Sequence, residues 1–218
     1  MTESKMKVVI CPGMHPAALT EDFVNGLRSV QVTCNGSLGL TQRSHYLEQP
    51  VIFPTENFPA YSPLHLLEFL SPFSAAPLVF VAFSAGVVGA IGAARLWQKQ
   101  GGTVKALIAL DGWGVPMDAN FPIHRVSHDY FTHWSSALLG RGLDSFYADP
   151  DVEHLDLWRS PQMVSGQWVK SVPLGELLNK AAFPTSKLSN SPTPVTLATF
   201  ITELCQKYEA ETQADTEN

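Results

Sequence analysis

The sequence predicts an α/β fold: a mostly parallel sheet flanked by helices on both faces. Three observations carry this. Short apolar, β-branched runs alternate with helix-period segments at the spacing of βαβ units. Residues 77–83 (PLVFVAF) are continuously apolar, as in a strand buried on both faces. Hydrophobic residues make up 45% of the 218 and charged residues only 16%, which favours a folded core over disorder.

Element by element, Lys7–Cys11 (KVVIC) predicts the first strand, stopped by Pro12-Gly13. Leu19–Leu27 has helical apolar spacing, with Thr20 or Glu21 near its cap. Pro50–Phe53 predicts a second short strand, ended by Pro54. In Ser62–Leu70 the serine fits an N-cap and Pro63 the first helical position. Pro77–Phe83 is followed by a helix over Gly86–Lys99, closed by Gly101-Gly102. Val104–Leu110 and the weaker Pro122–Ser127 predict further strands. Asp129–Leu139 predicts a helix flanking or covering a site, and Leu143–Ala148 a last strand. One domain over 1–183 is expected, then a Pro/Ser/Thr/Asn linker or surface loop over 184–194. A C-terminal helix over Val195–Tyr208 and a fraying acidic tail complete 195–218.

Composition removes several function classes. The net charge is −6 and no basic run stands out, so no nucleic-acid partner is expected. Gly, Pro or a charge breaks every apolar stretch short of a membrane span. No basic segment with a long apolar region follows Met1, so no signal peptide is expected. Cys11, Cys34 and Cys205 are odd in number and widely spread. That pattern suggests a reducing, cytoplasmic setting rather than a disulfide framework.

Chemistry concentrates at Ala82-Phe83-Ser84-Ala85-Gly86, between the most apolar strand and a helix. A sharp strand-to-helix turn would lift the Ser84 hydroxyl clear of the backbone. The helix N-terminus offers unpaired N–H groups and partial positive charge to an oxyanion. Ala82 and Gly86 supply the small residues such a crowded turn needs. The competing reading makes Ser84 a plain helix cap. Gly86, Gly89 and Gly92 recur at intervals of three, but Ser84 occupies the first glycine position of a dinucleotide fingerprint. Close helix–sheet packing explains them better, and no cofactor is expected.

These residues resemble the nucleophile elbow of the α/β-hydrolase superfamily, with A-F-S-A-G standing for G-x-S-x-G. The resemblance covers roughly residues 6 to 160, as an order of elements and a few short motifs. It implies a base and an orienting acid in the chain order Ser–Asp–His. Asp111 ends the strand after the serine helix, in L-D-G, where the thioesterase-like branch carries its acid. Asp129, after Pro122–Ser127, is the alternative at the later position; placement favours Asp111. His154, beyond the Asp149-Pro150 loop, is the expected base, with His128 and His133 as rivals. The resemblance also implies an oxyanion hole from the backbone N–H groups of Ala85 and of Met14, in the loop Cys11–Pro16. His15 could line the pocket but has no assigned role. Trp113, Tyr130 and Phe131 are candidates for an apolar substrate pocket. His124, His128 and His133 lack the spacing and partners of a familiar metal site, so no metal is expected.

The expected activity is that of a serine esterase or thioesterase on a small-molecule substrate, through an acyl-enzyme. Acyl transfer to an alcohol or amine would use the same groups. A hydrolase-like protein that binds a small molecule or protein partner without chemistry is the alternative.

Overall fold

The computed structural model describes residues 5–30, 47, 49–139, 142–171 and 193–217. Eight strands form one sheet in the order β2-β1-β3-β4-β5-β6-β7-β8. They are β1 Lys7–Cys11, β2 Val51–Ile52, β3 Leu78–Phe83, β4 Val104–Leu110, β5 Ile123–Ser127, β6 Ser145–Ala148, β7 Ser165–Val169 and β8 Thr193–Thr196. The first six pair in parallel; β7 runs antiparallel to both β6 and β8. Six helices accompany them among the described residues: α1 Ala17–Ser29, α2 Pro63–Leu70, α3 Ala85–Lys99, α4 Tyr130–Ser136, α5 His154–Arg159 and α6 Leu197–Glu217.

All six residues of β3 are buried, because both faces of the sheet are covered. Alternation sends Val79, Val81 and Phe83 to one core, with Phe23 and Leu27 of α1, Trp158 of α5 and Phe200 and Leu204 of α6. Leu78, Phe80 and Ala82 face the other, with Leu66 and Leu70 of α2 and Val87, Ala90 and Trp97 of α3. Each large apolar side chain so buried stabilises the fold by about 1.5–3 kcal/mol before entropy is counted.

The α/β class and the first six strands stand as expected; the ends differ. Ser62 caps α2 by accepting from the His65 N–H, with Pro63 behind it. α1 starts earlier than the spacing indicates, after Pro16, and Thr20 lies buried inside it. Leu143–Ala148 is not the last strand, since β7 and β8 follow β6. β8 takes up the last two residues of the stretch read as a linker; residues 184–192 lie outside the described residues. The tail does not fray at Tyr208: α6 continues to Glu217. Buried Thr212 donates to the Tyr208 carbonyl, and Asp215 pairs with Lys105 at 2.6 Å.

α4 buries no side chain. Its ends hold it instead. Asp129 caps the first turn by accepting from the Thr132 N–H. The buried Arg125 guanidinium donates to the His133 carbonyl and to Ser136 Oγ at the other end. No helix among the described residues is long and apolar enough to cross a membrane.

Candidate active site

β1 leads to α1 on one face of the sheet, and β3 leads to α3 on the other. Chains leaving neighbouring parallel strands for opposite faces open a crevice at the carboxyl edge. Ser84 stands there, with φ 52° and ψ −121°. A non-glycine residue at positive φ is strained and persists only where its surroundings hold it. Here the Ser84 N–H donates to the Leu110 carbonyl at 2.9 Å, and the Ser84 carbonyl accepts from Val87 at 3.0 Å.

Glycine is required beside it. A Cβ on Gly86 would lie 2.3 Å from the Cys11 carbonyl oxygen and 2.4 Å from that of Pro12. Gly13 brings the loop from the other side, its Cβ position 3.1 Å from Ser84 Cβ. Ala82 tolerates its methyl because it points into the α2–α3 core. Ala85 begins α3, so its N–H belongs to the unpaired first turn. Met14 follows Gly13 in the loop that borders the turn, with its side chain exposed.

Asp111 continues β4 through a bond from its N–H to the Val126 carbonyl, 2.8 Å, and then turns at φ 49°. Asp tolerates this left-handed conformation better than most residues. The turn directs a carboxylate that is only 3% exposed toward two imidazoles. His154 Nδ1 lies 2.7 Å from Asp111 Oδ2, and His154 Nε2 lies 3.2 Å from Ser84 Oγ. Because a carboxylate only accepts, Nδ1 of His154 carries the proton and Nε2 presents its lone pair to the serine hydroxyl.

His154 begins α5 and stacks on Phe83, with ring centroids 4.6 Å apart. Phe83 stacks in turn on Trp158, which stacks on Phe23. This row of rings fixes the imidazole plane over the end of β3. Sequence reasoning missed the row, because its members come from three distant segments. Leu157 and Trp158 at adjacent buried positions of α5 were the available signal.

The structure brings together Ser84, Asp111 and His154, and leaves Asp129 apart from His154. Besides capping α4, Asp129 places Oδ2 at 3.3 Å from His128 Nε2. His128, read as a rival base, instead binds Asp111: its Nδ1 lies 2.8 Å from Oδ2 and its N–H donates to Oδ1 at 3.0 Å. Burial raises the Asp111 carboxyl, but the hydrogen bonds and charges of His128 and His154 outweigh burial and hold it below the usual carboxylate range. His15 packs against both Phe83 and Trp158. Burial pushes its imidazole down, against a bond to the Pro16 carbonyl and with repulsion from His154.

The three histidines weighed for a metal do not converge. His124 is wholly buried against Tyr208 of α6, at 2.7 Å, while His128 faces Asp111. Asp111, His128 and His154 could offer three ligand atoms, all within 4.8 Å of one another. Both Nδ1 atoms already meet the same carboxylate oxygen at hydrogen-bond distance, so an ion would have to displace both protons. No metal ligand is assigned.

Trp113, Tyr130 and Phe131 are largely exposed, at 68%, 63% and 69%, and follow β4 and β5 at the same sheet edge as Ser84. Trp113 helps line a cavity of about 10 Å³ beside Asp111, room for one water. Larger grooves of about 450 and 510 Å³ share Asp118, Ala119 and Asn120, toward the opposite edge near Ile123 and Lys99. Compared with known protein families and with curated proteins, the chain matches none.

Proposed function

We propose that this protein is a serine hydrolase of the α/β-hydrolase type, cleaving carboxylic esters or thioesters of small molecules. One observation carries the reading: an unbroken hydrogen-bonded chain from Ser84 through His154 to Asp111, starting at a serine in a strained strand-to-helix turn. His154 Nε2 takes the hydroxyl proton as Ser84 Oγ attacks the carbonyl carbon. Asp111 orients the ring and stabilises its cation. The Ala85 and Met14 N–H groups receive the oxyanion. His154 then gives its proton to the departing alkoxide or thiolate, leaving an acyl-serine. Water loses a proton to the same nitrogen and attacks, and the acid departs as Ser84 regains its hydrogen.

The His154 side chain is 43% exposed, so the substrate meets the array at the surface. Exposed Trp113, Tyr130 and Phe131, which follow β4 and β5 at the sheet edge that carries Ser84, offer its apolar part a face. A cytoplasmic setting fits the buried free thiols of Cys11 and Cys205.

Intact-mass spectrometry after fluorophosphonate treatment tests the reading. One adduct on the wild type and none on Ser84→Ala is expected. No adduct on folded wild type would transfer the assignment to a non-catalytic binding protein, which the exposed aromatic face would also serve.

A further inference from the structure

His128 follows β5, and its backbone is fixed on both sides. Its N–H donates to Asp111 Oδ1, and its carbonyl accepts from the Val152 N–H at 3.1 Å. The ring spans two carboxylates. Nδ1 lies 2.8 Å from Asp111 Oδ2, the oxygen that also binds His154, and Nε2 lies 3.3 Å from Asp129 Oδ2. The Nδ1 contact is a hydrogen bond and the Nε2 contact a charge pairing at ion-pair distance, so both act together only when the ring is an imidazolium. The neutral ring keeps its bond to Asp111 and loses the charge attraction to Asp129. It can therefore change charge without changing place. Its side chain is 28% exposed, which leaves it in proton exchange with solvent.

We propose that His128 is a positioning residue of this site: it holds the Asp111 carboxylate for His154, and its own charge throttles the reaction. The inference rests on the serine-hydrolase reading. In the transition state His154 becomes a cation, and its ring centroid lies 6.1 Å from that of His128. With His128 charged, two imidazoliums lean on one carboxylate oxygen and repel each other. With His128 neutral, Asp111 serves His154 alone. At this separation in a partly solvated site the repulsion slows the reaction by about three- to tenfold.

The groups facing His128 set where the change falls. Asp111 at the end of β4, Asp129 at the cap of α4 and Glu153 just before α5 are anions that hold its proton. His154 opposes it only once it has taken the serine proton and become a cation. The bond to Asp111 carries the His128 imidazole above the ordinary 6.5, against burial, and the charges of Asp111, Asp129 and Glu153 add to the rise.

The test follows kcat/KM for a 4-nitrophenyl ester against pH in the wild type, His128→Asn and Asp129→Asn. The imidazole resonances are titrated by NMR over the same range. The wild type should show, beyond the rise set by the base itself, a second rise of about three- to tenfold in step with the His128 resonance. His128→Asn should lack it. Asp129→Asn keeps a good helix cap and should move both the rise and the resonance to lower pH. Profiles of wild type and His128→Asn that superimpose after scaling would reduce His128 to a structural role and overturn the proposal. So would a His128 resonance unmoved by Asp129→Asn. Absence of Ser84-dependent turnover overturns the hydrolase reading and the rate effect with it, while the NMR arm decides the two-carboxylate clamp by itself.

Discussion

Asp111 Oδ2 stands 2.7 Å from His154 Nδ1 across 43 residues of chain. The contact exists because β4 and β6 deliver their following loops to one edge of a parallel sheet, with β5 between them. Asp129 leaves the same edge but spends one oxygen on the Thr132 N–H and turns the other to His128.

The two acids should therefore behave differently. Asp111→Asn is expected to lower kcat by about 10³- to 10⁴-fold, since the amide destabilises the imidazole tautomer the serine needs. Asp129→Asn should cost less than about tenfold at a pH where His128 is neutral, because Asn still caps α4. Steady-state kinetics on one ester substrate checks both. The reverse ranking would assign the orienting role to Asp129.

The turn around Ser84 makes a second prediction, on stability. In Gly86→Ala the new methyl meets two backbone carbonyls, of Cys11 and Pro12, that no rotamer change can move aside. A cost of about 1–3 kcal/mol is expected, with loss of activity as the loop carrying Met14 is pushed from the crevice. Ala82→Gly, which restores the glycine of the G-x-S-x-G pattern, should cost about 0.5–1 kcal/mol in β3 and gain no activity. Urea unfolding and ester turnover separate the two. A stable, active Gly86→Ala protein would show that the loop and α3 are not held as closely as described.

How legible these features were depends on their range. β3 and Ser84 could be read directly, since an apolar run ended by a serine and a small-residue helix is a local pattern. The pairing of Asp111 with His154 was an expectation of the α/β-hydrolase resemblance. Asp129 was the alternative acid and His128 and His133 the rival bases, a choice that strand order alone left open. β7 and β8 were hidden by their composition. Gly166 sits mid-strand because a Cβ there would meet the Tyr147 carbonyl at 2.2 Å, and Pro194 is tolerated because β8 lies at the sheet edge. The continuation of α6 was masked by polar residues that pack through one buried threonine. His128 on Asp111, and the rings of Phe83, Trp158 and Phe23 behind His154, are meetings between distant segments that no spacing encodes. The exposed placement of Trp113, Tyr130 and Phe131 was equally invisible, because aromatic residues at a sheet edge read the same whether they enclose a cleft or border one.

Acid should unfold the protein through histidines outside the Ser84–His154–Asp111 array. His124 is wholly buried against Tyr208; burial pushes its imidazole down to about 4, with Asp144 opposing and Lys207 adding. Burial and the Arg125 charge likewise push His133 down to about 4. In the unfolded chain both take up protons near the ordinary 6.5. Between that pH and about 4 the unfolded state thus binds more protons, and stability must fall as pH drops through the window. His124 alone accounts for about 3 kcal/mol by this linkage; His133, partly exposed, accounts for less. The site residues act elsewhere. Asp111 lies below its ordinary 3.8, so its stabilisation is complete above that value and lost as pH falls through its depressed one. His128 lies above 6.5, so its stabilisation is complete below 6.5 and lost as pH rises through its raised value. Urea midpoints measured across the acid range should fall most steeply between 6.5 and about 4. His124→Gln removes the larger titration and should flatten that fall, even if the variant starts less stable at neutral pH. An unchanged slope in His124→Gln would mean that the acid sensitivity comes from groups other than this buried imidazole.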